Sequence, residues 1–131
     1  MGVEPFLVAS ALHLVCAQRL VRRICIGCRD ADDTSAPDRP ERERDHQRAG
    51  ATRFRGRGCD RCAGTGYQGR VGVFEVMEVT DGLRDLVVSN ASAGDLRRQA
   101  IGEGMIPLRQ GGLTAVESGL TTMEEVVRET M

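Results

Sequence analysis

The sequence predicts a mixed α+β chain closed by a four-cysteine metal loop. Three observations carry this. Four of the five cysteines stand in two Cys-x-x-Cys pairs, Cys25-Ile-Gly-Cys28 and Cys59-Asp-Arg-Cys62. Residues 65–79 alternate and are rich in valine. Beyond Asp81, apolar residues recur at helical spacing behind capping residues. The 131-residue chain has no Trp, one Tyr and three Phe, so its core must rest on aliphatic side chains. A small, Gly-rich unit of this kind gains from a metal staple, whose binding free energy becomes folding free energy.

Residues 5–23 read as one helix. Pro5 suits the first turn. Val8, Leu12, Val15 and Leu20 supply a wide apolar face, and Ser10, Gln18, Arg19, Arg22 and Arg23 the polar remainder. A face that broad is expected to be buried against something. His13 within it reads as structural, and Cys16 as a small buried hydrophobe. From Arg29 to Arg57 there is no Val, Ile, Leu or Met, and Phe54 is the one large apolar side chain. Such a stretch cannot bury enough area to offset its chain entropy. A disordered excursion over about 30–57 is expected, pinned at its base by the metal. His46 and the arginines from Arg53 to Arg57 read as solvated charge.

Thr65–Val79 reads as a strand, with Val71, Val73, Val76 and Val79 beside Phe74 and Met77. A turn near Gly66–Gly69 would open a short hairpin. Asp81–Ser89 is helical, with Leu83, Leu86 and Val87 in phase. Ser92-Ala-Gly-Asp95 caps a helix carrying Leu96, Ala100 and Ile101, which stops near Gly102–Gly104. Pro107 opens another, weakened by Gly111–Gly112. Thr122-Met-Glu-Glu125 is a capping box for a last helix with Met123, Val126 and Val127.

Cys25, Cys28, Cys59 and Cys62 are the candidate metal ligands. Structural zinc takes four sulfurs at tetrahedral geometry, and two Cys-x-x-Cys loops complete that shell. Four thiolates leave no open position for water, so a zinc here would be structural. An iron–sulfur site uses the same ligand set and stands as the alternative. Disulfides need an oxidising compartment. The apolar run 6–17 lacks a basic n-region and a cleavage site, and it is too short to span a bilayer. A thioredoxin-like pair would explain one motif and leave the other idle.

Composition excludes several chemistries. All eighteen basic residues are Arg. A phosphate-binding Gly-x-x-x-x-Gly-Lys-Ser/Thr loop therefore has no lysine to use, and Schiff-base catalysis is out for the same reason. His-Glu-x-x-His is absent, and no catalytic constellation is expected. A formal net charge of −1 with few aromatics gives no case for nucleic acid. A nucleic-acid-binding zinc ribbon is thus the weaker of two stand-alone alternatives. The other is a chaperone-type module: Cys59-Asp-Arg-Cys-Ala-Gly-Thr-Gly66 fits the Cys-x-x-Cys-x-Gly-x-Gly repeat of the DnaJ-like cysteine-rich region. The first pair, followed by Arg29-Asp30, lacks those glycines.

With these segments in order, the chain resembles the C-terminal end of the type II secretion and type IV pilus assembly ATPases. The matching stretches are Gly2-Val-Glu-Pro-Phe-Leu-Val-Ala-Ser10, Ala17-Gln-Arg-Leu-Val-Arg-Arg23, the run from Gly58 through Cys62 to Glu75, Gly104-Met-Ile-Pro-Leu-Arg109, and Gly119 to Arg128. The resemblance implies a fragment of a RecA-like α/β ATPase domain with a tetracysteine zinc loop and a C-terminal helical extension. Residues 1–24 would be a C-terminal helix segment of the ATPase core, and 25–62 the zinc-binding loop. Residues 63–79 would be a strand or hairpin returning to the core, and 80–131 the extension. It implies zinc on Cys25, Cys28, Cys59 and Cys62, with ATP and Mg2+ used only by the full-length family. The implied partners are other subunits of a hexameric motor and an inner-membrane platform protein, without nucleic acid or direct membrane insertion. The implied location is the cytoplasm, peripheral to the inner membrane through partners. Arg23, Arg29, Arg61 and Arg70 would face such neighbours or solvent, and Arg70 and Glu75 recur in the family's motif. The family's Walker A loop lies upstream of the matching region, so the chain reads as a truncated gene, a split gene or an excised piece.

Overall fold

The computed structural model describes residues 2–32 and 53–130. Their elements are α1 (Pro5–Ala11), β1 (Leu14–Ile24), β2 (Arg29–Ala31), β3 (Phe54–Gly56), a 3-10 turn (Asp60–Cys62) and β4 (Tyr67–Glu78). Four helices follow: α2 (Asp81–Val88), α3 (Ala93–Gly102), α4 (Leu108–Glu117) and α5 (Met123–Glu129). The α+β class holds. β1 pairs with β4 and β2 with β3 in two separate two-stranded sheets. The amide of Val79 donates to the carbonyl of His13, and that of Cys25 to Gly66. The start of β1 thus lies by the end of β4, so the pair is antiparallel. β2 and β3 are also antiparallel, with Arg29 opposite Gly56 and Ala31 opposite Phe54.

Three expectations are corrected. The single helix over 5–23 is α1 followed by the long strand β1. Leu12 closes the helix in an extended conformation, its amide still donating to Val8. Apolar pairs such as Leu14-Val15 and Leu20-Val21 suit a helix face and a strand equally, and pairing with β4 decides between them. The excursion over about 30–57 is ordered at both ends, as β2 and β3. Two arms brought together at one base can form a ladder without an apolar core, aided by ion pairs of Asp30 with Arg57 and Asp32 with Arg55. Its middle, 33–52, lies outside the described residues. The strand expected at 65–79 is one continuous element, β4, without a hairpin of its own.

The chain divides into two compact units. One comprises Met1–Gln18 and Phe74–Gly111. Here α1 packs on α2 and α2 on α3 around buried Ala9, Val79, Leu83 and Ala100. Arg84 ties α2 to α1 by donating to the carbonyls of Ala9 and Leu12. Thr80 caps α2, and Ser92 with Asp95 forms a full capping box on α3. Glu75 accepts from the Leu108 amide at 2.9 Å and faces Arg97 at 3.6 Å.

The other unit comprises Arg19–Val73 and Gly112–Met131. Its buried side chains include Val21, Ile24, Val73, Val116, Thr121, Glu125 and Val126. α4 and α5 approach closely because position 112 carries no side chain: a Cβ there would lie 2.5 Å from Val126 Cγ1. Thr122 caps α5 by accepting from the Glu125 amide. The reciprocal half of the expected capping box is missing, because the Glu125 carboxylate turns to Arg22. That carboxylate accepts from the Arg22 amide at 3.0 Å, Nε at 2.9 Å and Nη2 at 2.6 Å, and from Arg128 Nη2 at 3.0 Å.

Candidate metal centre

The four cysteines predicted as ligands meet at one point. Cys25 follows the last residue of β1, and its backbone amide is fixed on the Gly66 carbonyl at 2.9 Å. The chain then turns back, with the Cys28 amide donating to the Cys25 carbonyl at 3.3 Å. Gly27 sits at the tip of that turn, where a Cβ would press on the Arg61 side chain at 3.0 Å. The second knuckle is the 3-10 turn, with the Cys62 amide on the Cys59 carbonyl at 3.2 Å. It unwinds through Ala63, Gly64 and Gly66, all at positive φ. Gly66 has no alternative: its backbone crosses that of Gly56 so closely that a Cβ on either would fall within 2.5 Å of the other's carbonyl oxygen.

The sulfurs of Cys25, Cys28, Cys59 and Cys62 all lie within 4.8 Å of one another. The Cys25–Cys59, Cys28–Cys62 and Cys59–Cys62 separations are each 3.8 Å. All four thiols are free, at nearly twice the length of a disulfide bond. A tetrahedral ion with sulfur ligands at about 2.3 Å spaces them about 3.8 Å apart. The donor set therefore fits a single metal ion, and its four sulfurs close the coordination sphere. Such a site can organise the chain but offers no open position for catalysis.

Backbone amides aim at the sulfurs. Cys62 Sγ accepts from the amides of Cys59 and Gly66, each at 3.2 Å, and Cys28 Sγ from Gly58 at 3.3 Å. Burial raises the Cys62 thiol, but those two amides and the thiols of Cys59 and Cys28 bring it down to about 6. Burial pushes the Cys28 thiol up to about 11. The Gly58 amide opposes that rise, and the three neighbouring thiols add to it. Amides that stabilise negative sulfur are the outer shell a thiolate site needs.

The other residues singled out in the sequence fall elsewhere. Cys16 is exposed on β1, outside the cluster and not buried as expected. His13 sits in the connection between α1 and β1, and His46 lies outside the described residues. Arg29 Nη1 donates to the Gly119 carbonyl at 3.4 Å, and its guanidinium lies 5.0 Å from the Phe54 ring. Arg23, Arg61 and Arg70 are exposed. Sequence reasoning missed the grouping of Arg22, Tyr67, Thr122 and Glu125. Arg22 lies over the Tyr67 ring at 4.2 Å, and the Tyr67 hydroxyl shares a 2.8 Å hydrogen bond with Thr122 Oγ1. Only the Thr122–Glu125 spacing hinted at it; nothing in the pattern links positions 22 and 67 to 125. Among the described residues, no helix is long and apolar enough to cross a membrane.

A family model described as Type II/IV secretion system protein matches residues 1–128. The chain is 42% identical over 132 residues to the type IV pilus assembly ATPase PilB of Myxococcus xanthus, covering 99% of this chain and 23% of that protein. It is 41% identical over 136 residues to PilB of Thermus thermophilus, covering 100% of this chain and 15% of that protein. It is also 38% identical over 133 residues to the type II secretion system protein E of Dickeya dadantii, covering 99% of this chain and 25% of that protein. The chain thus spans a quarter or less of the length of these relatives.

Proposed function

This chain belongs to the type II/IV secretion system protein family, and from that premise we propose that it is the C-terminal zinc-binding structural and docking piece of a secretion or pilus-assembly ATPase. The observation that carries the proposal is the convergence of four sulfurs within 4.8 Å of one another. Zinc is the ion this donor set suits best, because it is redox-inert and accepts a closed shell of four thiolates. Cys25, Cys28, Cys59 and Cys62 hold it. The amides of Gly58, Cys59 and Gly66 support the thiolate charge. Zinc supplies the cross-link, and the chain supplies the two knuckles and the glycines that let them turn.

In this reading, α1, the paired strands and the loop are the last part of a RecA-like ATPase domain, and α2–α5 its extension. The parent is a cytoplasmic hexamer acting on an inner-membrane platform, and ATP with Mg2+ is bound by other parts of it. This chain alone does not hydrolyse ATP, since it has no lysine for a phosphate-binding loop. The test is metal content after anaerobic purification, with circular dichroism before and after a strong chelator. About one zinc per chain, with part of the ordered structure lost on chelation, is expected for a site whose binding energy is folding energy. A chain purified anaerobically without metal, or metal retained after Cys59 and Cys62 are both replaced by Ser, would overturn the assignment.

A further inference from the structure

Four stretches of chain run into or out of the metal ligands, and each also grips the segment from Gly119 to Glu125. β1 leads into Cys25: the Ile24 amide donates to the Leu120 carbonyl at 2.9 Å, Thr121 Oγ1 donates to the Arg22 carbonyl at 2.8 Å, and Arg22 holds Glu125. β2 leaves Cys28, and its Arg29 donates to the Gly119 carbonyl. β3 leads toward Cys59, and its Phe54 ring lies against Gly119 so closely that a Cβ there would come within 2.7 Å. β4 leaves the Cys62 knuckle, and its first residue, Tyr67, bonds the cap of α5 through Thr122. Arg22 on Tyr67 and Arg29 on Phe54 brace neighbouring arms.

Two of these arms have little else to hold them. β2 and β3 pair over three residues each, a ladder too short to persist unaided. The first knuckle exposes Ile26 rather than burying it. α5 has seven residues, too few for a helix to be stable alone. We propose that the metal centre is a keystone for the C-terminal helix: occupancy of the four-sulfur site fastens the segment from Gly119 to Glu125, and loss of the ion loosens α5. The proposal rests on the reading of the four thiols as one metal site. Tyr67 is the positioning residue of the device, because it joins the Cys62 knuckle to the helix cap through one hydroxyl. Without the ion, the grips of Arg29, Phe54 and Tyr67 are lost, while β1 keeps its own.

The test is amide hydrogen exchange of the full chain, zinc-loaded and chelated, with metal content measured on the same samples. Losing three grips, at about fivefold each, raises exchange over residues 120–129 on the order of 100-fold. Exchange in α2 and α3 serves as the internal reference and is expected to stay slow. Tyr67→Phe keeps the ring and leaves metal content unchanged. In the loaded protein it raises exchange at the start of α5 about fivefold, and it shrinks the further rise on chelation by the same factor. A chain that binds zinc but shows no change at residues 120–129 on chelation overturns the proposal and leaves the metal site standing. Loss of protection in α2 and α3 to the same extent overturns it too, because the ion would then hold the whole chain. A chain that binds no metal removes both readings.

Discussion

Replacing Gly112 by Ala sets two effects of opposite sign against each other. Alanine in a helix interior is favoured over glycine by about 1 kcal/mol, so α4 taken alone would gain. The added methyl, however, would lie 2.5 Å from Val126 Cγ1 and 3.1 Å from Cγ2. Val126 is fully buried, and a β-branched side chain in a helix has one strongly preferred rotamer. The methyl cannot push it aside, so α5 must shift. Overpacking of this kind costs about 1–3 kcal/mol. The expected net loss is about 1 kcal/mol, a fall in melting temperature of about 3–5 °C for a chain of this size. Thermal and urea unfolding of the zinc-loaded chain measure it. Gly102→Ala is the control: it lies at the end of α3 with nothing within 4 Å of its Cβ position, and it should be neutral or stabilising. Val126→Ala should be costly alone, yet Gly112→Ala/Val126→Ala should cost about 1–2 kcal/mol less than the sum of the two. If Gly112→Ala stabilises as Gly102→Ala does, or if the two costs add, the close approach of α4 and α5 is not real.

The remaining expectations concern the metal loop and the buried carboxylate. Burial raises Glu125, but Arg22, through its guanidinium and its amide, and Arg128 outweigh that and hold it below its ordinary value of 4.5. A lowered carboxylate adds stability above its ordinary value that is lost as pH falls through the folded one. Glu125→Gln should therefore cost about 1–3 kcal/mol at pH 7 and less as pH drops below 4.5; a cost independent of pH would refute the pairing. Cys59→Ser should remove several of the roughly 10–16 kcal/mol that a closed zinc site supplies, seen as lost metal and a lower melting temperature. An unchanged melt with metal still bound would contradict it. Gly56→Ala places a Cβ 2.0 Å from the Gly66 carbonyl oxygen, backbone against backbone. A loss of at least about 2 kcal/mol together with weaker zinc retention is expected, and wild-type zinc retention would argue against the crossing.

The cluster of ligands was legible because cysteine spacing is a chemical pattern, indifferent to how the intervening chain folds. The capped helices were legible because Ser92 and Thr122 act within their own turns. β1 was not, since its apolar residues satisfy either period and only the partner strand, some fifty residues away, chooses between them. The β2–β3 ladder was hidden for a related reason: its residues are polar, and its order comes from closure at the cysteines, not from burial. Glu125 shows how a local reading can be half right. Its spacing from Thr122 suits a capping box, yet Arg22, a hundred residues earlier, offers its carboxylate more.

The bond from the Asp32 amide to the Arg53 carbonyl, 2.7 Å long, has a consequence for how this chain can be changed. Whatever peptide joins those two residues departs and comes back at a single doorway, beyond which the paired strands lead to the knuckles. Closing a longer path between those two ends costs little more than closing a short one. Position 32–53 is thus a natural port for grafting. A tight two-residue turn, an affinity tag or an entire folded reporter can be installed there, and the four cysteines, two on either side of the doorway in the chain, are expected to hold their metal unchanged.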